Sequence, residues 1–138
     1  MNSLEKILAA VAEEITEAAD GKFRACTSWD QTQEPDPAGT VVVGCAAMMQ
    51  ITSGIDDYQI DVAVNCRTRT SDDADRERIN AIAATASAAI KAITREALSA
   101  ASGSIVAGVV PSGVDWLPGA EIREAVLHLN VFVTAFDL

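Results

Sequence analysis

The sequence predicts an α+β domain, an antiparallel sheet of about four strands with two helices packed on one face, in the order α-β-β-α-β-β. Two stretches carry apolar residues at three- and four-residue steps, the spacing that lines side chains along one stripe of a helix. Three others alternate with period two, and glycine, proline and aspartate cluster between the elements. With 138 residues, 49% of them hydrophobic, the chain is expected to form a single domain over 1–138 with a sizeable core.

The first helix is expected over Ser3–Ala19, where Leu4, Leu8, Val11, Ile15 and Ala18 share a stripe. Asn2 is placed to cap it, and Glu5 three residues on completes a capping-box pattern. Glu13, Glu14 and Glu17 lie opposite the stripe, on a face that is wet or meets a basic partner, and Gly21 is placed to end the helix. Residues 27–39, with Trp29, Pro35 and Pro37, read as an extended polar loop, longer than a compact domain needs and of a kind that often carries function. Trp29 is either a contact surface or a lid folded over the core.

A hairpin is expected from 40–51 and 58–68, turning through 52–57 with Gly54, Asp56 and Asp57. Pairing Ile51 with Tyr58 sets Met49 against Ile60, Ala47 against Val62, Cys45 against Val64 and Val43 against Cys66, an almost wholly apolar face. The reverse face joins Val42, Gly44, Ala46, Met48 and Gln50 to Asp61, Ala63, Asn65 and Arg67, and is mixed. The second helix is expected over 72–100, with Asp72, Asp73 and Asp75 at its positive end and a narrow stripe of Ile79, Ile82, Ala83, Ala86, Ile90, Ile93 and Ala97. At its full length it would reach about 40 Å, so it spans the domain or breaks near its end, and Gly103 closes it. Residues 104–110 then read as a short strand and 111–119, carrying Trp116, as the connection back.

The closing strand, over 121–137, has two unequal faces. Ala125, Leu127, Leu129, Val131, Val133 and Ala135 are all apolar, whereas Val126, His128, Asn130, Phe132, Thr134 and Phe136 are neither cleanly polar nor cleanly apolar. A strand with one wet face alternates more sharply than this. The mixed face is therefore expected to meet another part of the chain or another copy of it.

Composition narrows the function classes. A net charge of −10 opposes wrapping nucleic acid or docking on an anionic membrane. No apolar run is long enough to span a bilayer, and the acidic N-terminal residues lack the basic region of a secretory signal, so a cytoplasmic origin is the default expectation. Cys26, Cys45 and Cys66 are an odd number with no CxxC pair, and His128 is the only histidine, so neither a disulfide framework nor a metal site is expected. Neither a Walker pattern nor GxGxxG occurs, and no cofactor is implied. Any Ser-His-Asp or Cys-His mechanism would have to use His128, which at mid-strand reads better as a structural or interface histidine. Carboxylates on separate strands could still converge on a hydrolytic site. Arg67 and Arg69 are expected either to pair locally with Asp72 or Asp73 or to pair across a subunit boundary.

The order of elements carries a resemblance. The amphipathic first helix is followed by a hairpin whose second strand is Tyr58-Gln59-Ile60-Asp61-Val62-Ala63-Val64, and then by a long helix. The closing segment is Gly119-Ala120-Glu121-Ile122-Arg123-Glu124-Ala125-Val126-Leu127-His128-Leu129-Asn130-Val131-Phe132-Val133. In this pattern the chain resembles the tail terminator and head–tail joining proteins of long-tailed bacteriophages. The resemblance covers most of the chain, in pattern and order and without a catalytic motif. It implies a non-enzymatic homo-oligomeric ring, usually a hexamer, assembled in the host bacterial cytoplasm and found in the tail or neck of the virion. Such a ring caps the tail tube, stops its polymerisation and docks on the head, so its partners are the tail tube protein and a head-completion or neck protein. DNA would pass through the lumen without specific binding, and acidic walls would repel it. Two mixed sheet faces suit the heterologous contacts a ring requires.

The family supplies no residue-level site. Exposed apolar groups on turns and mixed faces suggest Trp29, Met48, Arg67, Arg69, Trp116, His128, Phe132 and Phe136 as interface candidates. Two other readings stay open: another neck component, such as a head-closure or adaptor protein, and a small α+β ligand-binding domain or enzyme with one deep pocket.

Overall fold

The computed structural model describes residues 2–27, 34–51 and 56–136. It has an α+β architecture in which helices α1 (Ser3–Ala19), α2 (Glu77–Ala92) and α3 (Arg95–Ser102) accompany five strands: β1 (Arg24–Thr27), β2 (Thr40–Gln50), β3 (Tyr58–Arg69), β4 (Ile105–Leu117) and β5 (Ile122–Thr134). The strands form one sheet in the order β1-β2-β3-β5-β4. Every neighbouring pair is antiparallel except β1 and β2, which are parallel. Among the described residues the sheet is thus mixed and five-stranded where an antiparallel sheet of about four strands was expected, and the α-helices number three rather than two.

Helix α1 forms where its stripe places it. Asn2 accepts a hydrogen bond from the Glu5 amide at 2.8 Å, and the Glu5 carboxylate accepts one from the Asn2 amide at 3.0 Å. The helix ends through Asp20 in the left-handed region at φ 49°, just before Gly21 at φ 77°. Its buried side is Ile7, Leu8, Val11, Ala12, Ile15 and Ala19, so the stripe is rotated slightly and Ala18 faces out.

The second helical stretch breaks, as its length allowed. Ile93 is extended, and Thr94 caps α3 by accepting from the Ala97 amide at 3.2 Å. Leu98, not Ala97, then carries the packing of α3. Helix α2 starts later than expected because the chain first makes a 3-10 turn at Thr70–Asp72. The acids upstream take separate roles. Asp72 pairs with Arg69 at 2.8 Å, while Asp73 turns inward. The Asp73 carboxylate accepts from the Arg78 amide at 2.8 Å, the Ile79 amide at 3.0 Å and the Thr68 hydroxyl at 3.0 Å. A buried side chain several residues upstream thus satisfies amides at the helix start.

The core lies between the helices and the inner sheet face. Ile60, Val62, Val64 and Cys66 on β3 meet Ala125, Leu127, Leu129, Val131 and Val133 on β5, and the helical stripes close over them. Between β2 and β3 the expected register is overturned. A bulge between Cys45 and Ala47 sets Met48 opposite Ile60 and Val43 opposite Val64. Past the bulge the faces exchange, so Met48 packs against the core and Met49 is 61% exposed.

The second hairpin is longer than expected. β4 runs on through Pro111 and Gly113 to Leu117, so residues read as a connection are strand. Pro111 and Gly113 sit at a register shift in this edge strand, where a missing N–H is tolerated and Gly113 can take φ 136°. At the other end of β5, Ala135 turns left-handed at φ 49° and breaks the alternation. Phe136 therefore swings to the core side, 3% exposed and edge-on to Tyr58 at 6.4 Å, while Ala135 faces solvent.

Candidate functional site

The outer sheet face, opposite the helices, collects the half-exposed residues of β3 and β5 and exposed residues of β4. Along β3 and β5 buried and half-exposed residues alternate, and the half-exposed set includes Asp61, Ala63, Asn65, Arg67, Val126, His128, Asn130 and Phe132. No described helix packs on this face.

At its centre is a polar bridge across three strands. His128 on β5 pairs in register with Ala63 on β3 and Gly113 on β4. These small neighbours leave room for the imidazole to reach diagonally to both sides. Nδ1 lies 3.0 Å from Asp61 Oδ1, and Nε2 lies 3.0 Å from Asp115 Oδ2. Two carboxylates, acceptors only when ionised, are matched by an imidazolium that donates from both nitrogens. The hydrogen bond to Asp61 raises the His128 pKa most, burial opposes it, and Asp115 adds to the rise. Protonated, His128 donates to both carboxylates; once deprotonated it keeps a single N–H and can hold only one of them as donor.

One end of the face carries the arginines. Arg67 pairs with Glu124 across the strands at 3.2 Å, and Asn65 Nδ2 donates to the same oxygen at 3.4 Å. Arg69 takes the local one of its two expected roles, pairing with Asp72, and it lies 3.6 Å from Glu34. Phe132 is half-buried over the sheet beside Gly108, where a Cβ would lie 3.6 Å from the ring.

Along the β4 edge the apolar exposure is greatest. Ile105, Val110, Val114, Trp116 and Leu117 are all exposed, Trp116 to 55%. Trp116 stands on the wall of an open cleft of about 600 Å³ between α2 and the end of the β4–β5 hairpin, which Arg76, Ile79 and Arg123 also line. Two of the cleft's charged groups are held within the fold, although Arg123 Nη1 is buried with no hydrogen-bond partner among the described residues. Arg123 Nη2 donates to the Ala74 carbonyl at 3.5 Å, Nη1 lies 3.8 Å from Asp73, an ion-pair distance too long for a hydrogen bond, and Glu124 is held by Arg67.

Of the expected interface residues, the structure brings His128, Phe132 and Arg67 onto one face and leaves Trp116 exposed at the sheet edge. It moves Met48 and Phe136 to the core side, through the β2 bulge and the left-handed Ala135. Arg69 lies at the end of β3 in its local pair, and Trp29 lies outside the described residues. Sequence reasoning missed Asp61 and Asp115 as the partners of His128, and Met49, Val110 and Leu117 as exposed apolar residues.

Fold and surface together define an α+β domain with one helix-covered sheet face and one open face bounded by an apolar edge strand. No protein-family model matches the chain, and no curated protein matches it. No described helix is long and apolar enough to cross a membrane.

Proposed function

We propose that this chain is a structural assembly protein, a tail terminator that forms a ring, hexameric in the manner of the family it resembles, and closes the tail tube. The observation that carries the reading is the concentration of exposed apolar residues, Val110, Val114, Trp116 and Leu117, along one long edge strand of a strongly acidic chain. Soluble monomers rarely leave such an edge open, because unpaired backbone groups beside apolar side chains recruit another chain. The open sheet face supports it, since a ring subunit needs unlike contact surfaces. The engaged His128 favours a binding role over catalysis. In this reading the protein is not an enzyme and uses no cofactor, and its partners are further copies of itself, the tail tube protein and a neck protein. DNA passes the lumen without specific binding, and the protein resides in the virion tail or neck after assembly in the bacterial cytoplasm. The acidic surface suits that passage, because like charge keeps phosphate from sticking.

Native mass spectrometry over a concentration series, with and without tail tube protein, tests the proposal. A closed ring of several copies is expected. A strict monomer or dimer under every condition, including with the tube present, overturns it. A head-closure or adaptor role is the nearest alternative reading; a ring that bound portal protein and ignored tail tube would favour it.

A further inference from the structure

Two uncharged stretches of backbone lie at the same level on opposite sides of the sheet. On β4, Ser99 Oγ accepts from the Val106 amide at 3.0 Å and Arg95 donates to the Ala107 carbonyl at 3.5 Å, so α3 covers the start of the edge. From Gly108 onward no described residue pairs with the outer side of β4. On the far side, β1 pairs with β2 only over Thr40 to Val43, leaving residues 44–49 without a described strand partner there. The registers bring these stretches into line. Gly108 is level with Phe132, Gln59 and Met49, and Gly113 is level with His128, Ala63 and Gly44.

We infer that these edges join copies of the chain head to tail, residues 108–113 of one β4 pairing with residues 44–49 of the next copy's β2. The inference rests on the ring reading above and names its contact. Three observations favour a second copy as the occupant. First, three successive antiparallel pairings make β4 run opposite to β2, so a copy related by rotation presents β2 in the direction that continues the antiparallel sheet. Second, neither stretch contains a charged residue, although the net charge of −10 would make copies repel over most other surfaces. Third, each stretch carries an exposed apolar side chain, Val110 on β4 and Met49 on β2. The register shifts at Val106/Gly108 and Pro111/Gly113 on β4, and β1 seated on Thr40–Val43 of β2, confine the ladder to these few residues, so side chains carry a large share of the contact.

Cys45 supplies the test, being exposed on β2 and level with Pro111 through Leu129 and Val62. Val110→Cys and Ser112→Cys, each placed singly in the otherwise native chain and oxidised with copper phenanthroline, are expected to give covalent multimers. Mass spectrometry should locate the bond at Cys45, and Cys45→Ser should abolish the ladder. Val110→Lys should keep a native circular dichroism spectrum and lose the ring species in native mass spectrometry. A ring that persists in Val110→Lys and gives no bond to Cys45 overturns the edge pairing and leaves the ring reading standing. Covalent dimers of Val110→Cys that survive Cys45→Ser show β4 edges meeting back to back, and overturn it too. A chain that never assembles overturns both.

Discussion

Removing the Asp73 carboxylate should destabilise the fold more than removing any other acid at the start of α2. Asp73 is 3% exposed and accepts three hydrogen bonds, from the Arg78 and Ile79 amides and from the Thr68 hydroxyl, which is itself buried. Asp73→Ala removes the cap, worth about 1–2 kcal/mol, and leaves the Thr68 hydroxyl without its partner, worth about 1–3 kcal/mol. It also leaves Arg123, 17% exposed and 3.8 Å from Asp73, facing an uncharged site. Breaking a buried charge pair costs about 3–5 kcal/mol, but Arg123 retains some solvent and a bond to Ala74, so only part of that applies. The contributions share atoms and do not add, so the expected loss is about 3–5 kcal/mol. In a chain of this size that lowers the melting temperature by about 10–20 °C. Asp75→Ala is the control, because among the described residues exposed Asp75 accepts only from the Glu77 amide, at 3.3 Å, and should cost under about 1 kcal/mol. Thermal and urea unfolding followed by circular dichroism, at one protein concentration for all variants, measures both. An Asp73→Ala variant within about 1 kcal/mol of the native protein, or no worse than Asp75→Ala, would refute the reasoning.

Three further outcomes are expected. Phe132→Asp should abolish assembly in native mass spectrometry while the monomer keeps its circular dichroism spectrum, because the ring lies on the open face; loss of the fold itself would instead make Phe132 an intrachain core residue. The raised pKa of His128 means that its contribution is complete below the unfolded histidine value of about 6.5 and disappears as pH rises through the folded value. Since Asp115 is 70% exposed, the stability gap between native protein and His128→Gln should be no more than about 1 kcal/mol at the acidic end and shrink towards alkaline pH; a gap that widens with pH, or a folded-state NMR titration midpoint below the unfolded one, contradicts the bridge. Burial pushes the Cys66 thiol up to about 12, so thiol reagents at neutral pH should leave Cys66 unmodified until the chain is unfolded in urea, and comparable modification rates in native and unfolded protein would count against its placement.

What the sequence disclosed depended on whether a signal was local. Helix α1 was readable to its ends because Asn2, Glu5 and the stripe act within a few residues of one another. The inner faces of β3 and β5 were readable because strict alternation places Val62, Val64, Leu127 and Leu129 on one side whatever their neighbours do. The register of β2 was not. From Val41 to Met49 the segment is apolar at every position except Gly44, so sliding it along β3 carries little hydrophobic penalty and periodicity leaves the bulge unmarked. Phe136 escaped for a related reason, since a single left-handed residue at Ala135 reverses the face without any change in composition.

The polar bridge marks the limit most clearly. His128 was assigned to the correct face, but its geometry depends on where two other strands put their carboxylates. Asp61 lay in a recognised strand and only its diagonal reach was hidden. Asp115 lay beyond Pro111 and Gly113, residues that ordinarily punctuate a chain, so its segment read as a connection. In an edge strand the same residues are permitted, because one side of the backbone needs no ladder partner from its own sheet. The property that hid Asp115 from the sequence is therefore the property that leaves β4 open to another chain. A proline in a central strand of this length would have broken the sheet, whereas at the edge β4 stays extended through Pro111, and Asp115 beyond it comes back to His128.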